Sequence, residues 1–573
     1  MLKRRLPGRS AVLACLACYA VPATAGGSDL FIDTAPDAGV DFVYDNGMTG
    51  KYWFPEIMGG GVGLLDYDGD GLLDIYFVQG GPIGTEEDRQ RASTGDRLFR
   101  NISVRDDDGR WQLRFTDVTA EAGIAAHGYG MGVAVGDYDG DGHPDIYVLN
   151  FGDNQLWRNN GDGSFSDRTR EAGVNDPRWS VSASFADLDG SGHLDLVVVN
   201  YADYSISGHR ECRSAATNRP DYCSPSAYAG VPDSLFRNLG NGRFEDASRS
   251  AGIAGPKRHG LGVISADLDD DGLLDIYVAN DGDPNSLWLN QGGLRFEDEA
   301  FLAGSAVNAD GKTEAGMGVD AADYDRSGTE DLFVTHMRSE TNTLYRNDGE
   351  GWFSDVTATS GLGVPSLGYT GFGTAWTDLD NDGWLDLVIA NGAVVLEQAL
   401  AAAGSSYPYH QRNQAFLNDG RGKFKDVSAE AGAAFDAMRV SRGLAAGDLD
   451  NDGRTDLVIA NIGDPAQLLL NRAAPGRHWL GLQLLDAEGK REIVGAIAWL
   501  LEDGEALYAR RSRADGSYAS ANDPRLIFGL GAEDAPRDVR VRWPDGRLED
   551  FSSLQADAYH ALRRGAGKPA EAP

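Results

Sequence analysis

Short apolar runs alternate with acidic, glycine-bearing turns along most of this chain. Gly61-Val62-Gly63-Leu64-Leu65 and Ile75-Tyr76-Phe77-Val78 are too short for helices and are bounded by turn residues, so they read as buried strands. Two further runs follow. One is an apolar strand ending in asparagine, Leu98-Phe99-Arg100-Asn101, and the other is a Phe-x-Asp strand, Phe115 to Asp117. A glycine-rich hairpin, such as Asn160-Gly161-Asp162-Gly163, joins the last two in most copies. The Asn strand ends at Asn101, Asn159, Asn238, Asn290, Asn347, Asn418 and Asn471. Phe-x-Asp begins at Phe31, Phe115, Phe165, Phe244, Phe296, Phe353 and Phe424.

Four short strands per repeat form a propeller blade, and seven repeats predict an all-β, seven-bladed β-propeller over residues 26–473. The first Phe-x-Asp has no Asn strand before it, and Asn471 has no Phe-x-Asp after it. The N-terminal segment is therefore expected to supply the last strand of the seventh blade and leave no open edge.

The loop between the first two strands of each repeat carries the chemistry. Asp66, Asp68, Asp70 and Asp74 occupy positions 1, 3, 5 and 9 of a nonapeptide with glycine at position 6, and the carbonyl of Leu72 at position 7 adds an oxygen. Hard oxygen donors on a sharply bent loop suit Ca2+. The flanks are strands and position 12 lacks an EF-hand glutamate, so this is not an EF-hand. The second loop offers Asp137, Asp139, Asp141, His143 and Asp145; the third Asp187, Asp189, Ser191, His193 and Asp195. The fourth has Asp267, Asp269, Asp271, Leu273 and Asp275; the fifth Asp323, Asp325, Ser327, Thr329 and Asp331. The sixth has Asp378, Asp380, Asp382, Trp384 and Asp386; the seventh Asp448, Asp450, Asp452, Arg454 and Asp456. Position 7 contributes its backbone carbonyl in each. Up to seven structural Ca2+ ions are expected, with weaker binding where serine stands at position 5. Arg326 in the fifth loop reads as the one cation placed to offset this charge.

Composition changes the picture in three places. The formal net charge of -37 disfavours nucleic acid as a partner, and 26 aspartates at ligand positions account for much of it. A basic head, the apolar stretch from Ala11 to Ala20 and Ala23-Thr24-Ala25 read as a signal peptide over 1–25, implying a secreted or periplasmic protein with no transmembrane segment. Cys212 and Cys223, in an irregular stretch beyond the signal, read as a local disulfide.

The long insertions 80–97, 201–233 and 392–413 all fall on the face opposite the acidic loops, which marks it as the ligand face. Inter-blade links there bring Tyr52, Trp53, Glu56, His127, Tyr129, Trp179, Arg258, His259, Glu314, Tyr369 and Arg439 toward the axis. After Asn471 the repeats stop. Apolar runs at 479–484, 495–500 and 539–543 predict a small β domain over 474–562, followed by a disordered tail over 563–573.

The Asp-x-Asp-x-Asp-Gly-x-x-Asp loops on a seven-fold repeat resemble the FG-GAP/VCBS repeats of integrin-α-like propellers. Gly495-Ala496, Ser517-Tyr518-Ala519-Ser520, Phe528-Gly529-Leu530-Gly531 and Val541-Arg542-Trp543-Pro544-Asp545-Gly546 resemble the ASPIC/UnbV domain. Together they resemble bacterial relatives of the cartilage acidic protein family. The resemblance implies structural calcium on one face and ligand on the other. The sequence contains no nucleophile elbow, zinc motif or phosphate loop, so a protein- or glycan-binding module is favoured over a carbohydrate-active lyase or hydrolase. A scaffold in which the C-terminal domain caps the propeller is a third reading.

Overall fold

The computed structural model describes residues 29–90, 93–105, 111–473 and 475–570. The expected signal segment and the last three residues lie outside the described residues.

The strands sort into seven four-stranded antiparallel sheets. The first blade is Val62–Leu65, Asp74–Phe77, Arg97–Asn101 and Phe115–Asp117, from the axis outward. The next five repeat that order, with inner strands Gly130–Gly136, Ser180–Ala186, Gly260–Ala266, Val319–Ala322 and Gly371–Thr377. The seventh is Ser441–Gly447, Asp456–Asn461, Gln467–Asn471 and, as its outer strand, Phe31–Asp33. Phe31 pairs with Asn471 and Asp33 with Leu469, so the N-terminal strand closes the ring as expected. Each inner strand packs on the next, and Val62–Leu65 on Ser441–Gly447. Space near the axis is tight. A Cβ on Gly132 would sit 2.1 Å from the carbonyl oxygen of Val181, and one on Gly318 2.1 Å from that of Phe372.

The C-terminal domain pairs two sheets around a shared core that includes Leu480, Leu482, Phe528, Val539, Val541 and Trp543. One sheet holds Leu526–Gly531, His478–Leu485 and Tyr559–Arg563. The other holds Glu505–Arg511, Ile497–Glu502, Arg537–Arg542, Leu548–Leu554 and Lys568–Pro569. The last pairing corrects the expected tail. Lys568 and Pro569 pair with Asp550 and Glu549, and both Glu549 oxygens accept the Gly565 N–H at 2.9 Å.

The domain does more than follow the ring. Between Arg511 and Leu526 it sends a segment into the propeller axis that bonds to all seven inner strands. Asp515 Oδ2 accepts from Ser184 Oγ at 2.5 Å and from the Ser265 N–H at 2.8 Å. The Ser517 carbonyl takes the Val319 N–H at 3.0 Å, while its hydroxyl accepts from the Thr374 N–H at 3.1 Å and donates to the Leu444 carbonyl at 2.8 Å. Ala519 takes the Val133 N–H at 3.1 Å, and Ala521 exchanges two 3.0 Å bonds with Val62 and Leu64. Tyr518 is fully buried. Its hydroxyl donates to the Met58 carbonyl at 2.7 Å and its ring stands edge-on to Phe372 at 4.8 Å. The axis is a packed core with an axle through it.

Candidate functional site

Each acidic loop is shaped by its own carboxylates. The position-1 aspartate accepts backbone N–H groups from the turn: Asp66 takes Gly69 at 2.9 Å, Asp70 at 3.1 Å and Gly71 at 2.9 Å. The turn needs left-handed backbone at positions 4 and 6. Gly69 and Gly71 have φ of 74° and 84°, and position 4 is left-handed even as Asp270, Arg326, Asn381 and Asn451. The position-5 oxygen accepts the position-7 N–H, as Asp70 does from Leu72 at 3.0 Å.

Position 9 and the strand-ending asparagine form a clasp. Both oxygens of Asp74 accept backbone N–H groups, from Asn101 at 2.7 Å and Tyr67 at 3.0 Å. The Asn101 side chain then donates to the Leu449 carbonyl of the seventh loop at 3.1 Å. This arrangement repeats around the circle. Asn159 donates to Tyr67, Asn238 to Tyr138, Asn290 to Leu188, Asn347 to Leu268, Asn418 to Tyr324 and Asn471 to Leu379, at 2.8–3.1 Å. Every asparagine thus ties its own loop to the loop of the preceding blade. The repeat of asparagine was visible in the sequence, but its bond partner was not.

The residues fit a hard cation. In five named loops three aspartates bring ligand oxygens within 4.8 Å of one another, and two further groups do the same. In the third and fifth loops position 9 joins positions 1 and 3, so a trio survives where serine stands at position 5. Ser327 Oγ instead pairs with Thr329 Oγ1 at 3.0 Å. Asp68 Oδ1, Asp139 Oδ1 and Asp450 Oδ1, all at position 3, are buried without a hydrogen-bond partner. Burial pushes the position-9 carboxyls up, opposed by the N–H donors and aided by neighbouring aspartates: Asp195 to about 7, Asp275 to about 8 and Asp331 to about 9. A bound cation would reverse that direction.

The structure corrects the reading of Arg326. It turns away from its own loop and lies over Trp384 at 3.7 Å and Tyr508 at 4.3 Å. Other arginines face the carboxylates. Arg100 meets Asp68 at 2.6 Å, Arg158 meets Asp139 and Asp141 at 2.5 Å, and Arg237 meets Asp189 at 2.9 Å. The C-terminal domain and the segment leading into it add Arg477 on Asp380 at 2.5 Å, Arg542 on Asp267 at 3.0 Å and the Tyr559 hydroxyl on Asp448 at 2.8 Å.

On the opposite face the insertions roof the axis. Tyr409 donates to Asp221 at 2.8 Å, and Tyr222 to Glu56 at 3.1 Å, joining insertions 201–233 and 392–413 over the link that carries Glu56. Cys212 and Cys223 form a disulfide within the first of these. Glu56 is buried, with Oε1 unpartnered, and burial pushes it up to about 8. Arg442 is fully buried too, its guanidinium spent on the carbonyls of Ile57, Gly392, Ser441 and Ala393.

The expected ligand-face residues divide. Trp53, Tyr129, Trp179 and Glu314 are buried; Trp179 packs on Phe54, Phe151 and Tyr201 within 5.5 Å, and Tyr52 stands edge-on to Tyr222 at 5.2 Å. Arg258 pairs with Asp298 at 2.7 Å and Arg439 lies 3.9 Å from Asp464. His127 is exposed and Tyr369 half-buried. His259 alone of these lines a cavity of about 280 Å³ beside the roof, with Phe54, Tyr201, Tyr222, Asp281, Asp283 and Glu340 among its other walls. Its Nδ1 faces Asp283 Oδ2 at 2.8 Å and its Nε2 the Tyr228 carbonyl at 3.3 Å. Burial pulls the ring down, and the Asp283 carboxylate outweighs it and holds His259 above the ordinary histidine range. Among the described residues no serine or cysteine hydrogen-bonds to the ring.

Comparisons with known proteins agree with the repeat pattern. The FG-GAP-like repeat model matches residues 66–148, 137–198, 218–278, 267–334, 323–389 and 400–459, and the ASPIC and UnbV model matches 486–569. Cartilage acidic protein 1 of Mus musculus is 26% identical over 373 residues, 63% of this chain and 51% of the relative; that of Homo sapiens is 26% identical over 346 residues, 58% and 47%. The chain spans about half the length of these curated relatives. Among solved structures, an Agrocybe aegerita lectin recognising non-reducing terminal N-acetylglucosamine matches at TM-score 0.36 and 19% identity, over 65% of this chain and 81% of the lectin. The BBS1N chain in complex with ARL6DN matches at TM-score 0.37 and 10% identity, over 78% and 98%. The chain belongs to the FG-GAP-like repeat family and carries an ASPIC and UnbV domain at its C-terminal end.

Proposed function

We propose that the protein is a calcium-stabilised binding module that works outside the cytoplasm and takes its protein or glycan ligand on the insertion face. The observation that carries the calcium reading is the set of buried, unpartnered position-3 oxygens in loops whose other donors are also hard carboxylates. Flexible turns offering carboxylates and a carbonyl suit calcium better than the stricter octahedron of magnesium. The calcium would be held by positions 1, 3, 5 and 9 with the position-7 carbonyl, and would supply charge balance for the ring. An extracytoplasmic location is supported by the Cys212–Cys223 disulfide. Binding is favoured over catalysis because the axis is filled by the Asp515–Ala521 segment and roofed by insertions, and because His259 is committed to two acceptors.

The test is calorimetric titration of calcium into chelator-stripped protein at neutral pH. Five to seven ions with a large rise in melting temperature are expected. Absence of saturable binding at millimolar calcium would remove the proposal.

A further inference from the structure

The cavity beside the insertion roof has a chemistry of its own. Its volume of about 280 Å³ lies just under the range of about 300 to 1,000 Å³ usual for ligand sites, which suits a small ligand. Phe54, Ile57, Met317, Tyr222 and Val394 give it an apolar wall. One end is different: Asp281, Asp283 and Glu340 meet there with His259.

These four groups do not cancel. His259 and Asp283 are paired with each other at 2.8 Å. Asp281 and Glu340 are left, and neither has a cationic partner within salt-bridge distance among the described residues. The groups that anchor them are neutral donors. Asp281 Oδ2 accepts from the Tyr201 hydroxyl at 2.6 Å, and Glu340 Oε2 from the Ala315 N–H at 2.9 Å. Ala315 also bridges to Asp281 on the adjoining strand, so the two carboxylates flank the same residue. The nearby arginines are spent elsewhere, Arg258 on Asp298 and Arg338 on Glu397. Burial pushes both carboxyls up, Asp281 to about 6. Both residues are part-buried, and two fixed carboxylates beside an apolar wall with no cation between them favour a cationic group that joins them.

We infer that this cavity binds a small apolar ligand bearing a protonated amine, with the ammonium between Asp281 and Glu340 and the apolar body against Phe54, Tyr222 and Met317. An ammonium has three donors, enough to reach both carboxylates. The aromatic rings add a cation–π contribution to its approach. The inference rests on the proposed function only in taking the insertion face as the binding face; the calcium titration tests the acidic loops, so the two readings fail independently.

The probe is 2-phenylethylamine, titrated calorimetrically into the full chain with calcium present at pH 7.5. The neutral 2-phenylethanol and the anionic phenylacetate serve as controls of equal shape. A dipeptide with an N-terminal phenylalanine distinguishes a free amine from a chain terminus. Saturable one-to-one binding of the amine is expected, at least tenfold tighter than the alcohol, with phenylacetate silent. Asp281→Asn and Glu340→Gln should each weaken the amine about tenfold and leave the alcohol unchanged. Should Asp281→Asn fail to fold, Glu340→Gln with Val394→Trp, which fills the cavity, decides the matter. Equal binding of amine and alcohol, unchanged amine affinity in the variants, or no saturable amine binding would each overturn the inference. Tighter binding of the dipeptide would overturn the small-molecule assignment.

Discussion

The two faces of the propeller are built on opposite principles. The acidic face solves one problem seven times, with the same nine-residue turn, the same position-9 aspartate and the same asparagine clasp to the blade before. The insertion face solves its problem once, with unlike segments that lean on each other through Tyr409–Asp221 and Tyr222–Glu56. The first face gains stability by repetition and is sensitive to whatever the loops share. The second gains individuality, and its parts fail singly. The C-terminal axle touches both, entering among the acidic loops and ending with Tyr518 on Met58, at the end of the first blade's inner strand that meets the insertion face.

The largest blow to the acidic face is removal of the calcium proposed for it. A site at a hundredfold ligand excess contributes about 2.7 kcal/mol, and several sites act together. Chelator should therefore lower the melting temperature by on the order of 10 °C or more, and calcium should restore it. An unchanged scanning-calorimetry trace would break the comparison at its root.

Next in size is the axle. Tyr518→Ala empties a fully buried site and removes the bond to Met58, at about 3–5 kcal/mol. Urea unfolding should show a lower midpoint, and limited proteolysis should cut on both faces rather than one. Cleavage confined to the C-terminal domain would show that the axle does not bind the two faces together.

A single loop comes third. Asp380→Ala should remove one ion from the metal count and about 1–3 kcal/mol from stability, since Arg477 also loses one of its acceptors while keeping the Asp380 carbonyl. Asp187→Ala, in a serine-bearing loop, should cost less. Global unfolding of either at millimolar calcium would mean the clasps make the loops one unit.

The effect confined to part of the pH range belongs to the insertion face. Folded Glu56 titrates at about 8, above its ordinary value near 4.5, so folding takes up a proton between those values. Its contribution is fully present below about 4.5 and is lost as pH rises through 8. Glu56→Gln should therefore raise the melting temperature of the protein at pH 8.5 and change it little at pH 5. An equal shift at both values would show that Glu56 is charged in the fold throughout.

What could be read from the residues follows the same division. Repeats are local, so strand order, loop chemistry and the closing strand Phe31–Asp33 follow from spacing. Contacts between distant segments leave no spacing to read. Ser517-Tyr518-Ala519-Ser520 stood out as a motif, yet nothing local says that it threads the axis. Arg326 looked like a counter-charge because it sits in a loop, but left-handed backbone at position 4 sends its side chain to Trp384 instead. Lys568–Pro569 looked like tail because two residues carry no period, and only the partner strand makes them structure.

The closing strand also sets a clock. Thr34 bonds Leu468, a residue 434 positions later, through both its N–H and its hydroxyl. At about 5–20 residues per second, this strand waits roughly twenty to ninety seconds for its partner to be synthesised. During that wait six blades can form with no ring to join, and the seventh, once made, presents Gln467–Asn471 as an unpaired edge. That edge accepts the N-terminal strand of any copy in reach. Crowded chains therefore have a route to exchange first strands, and slow, dilute maturation favours each chain finding its own.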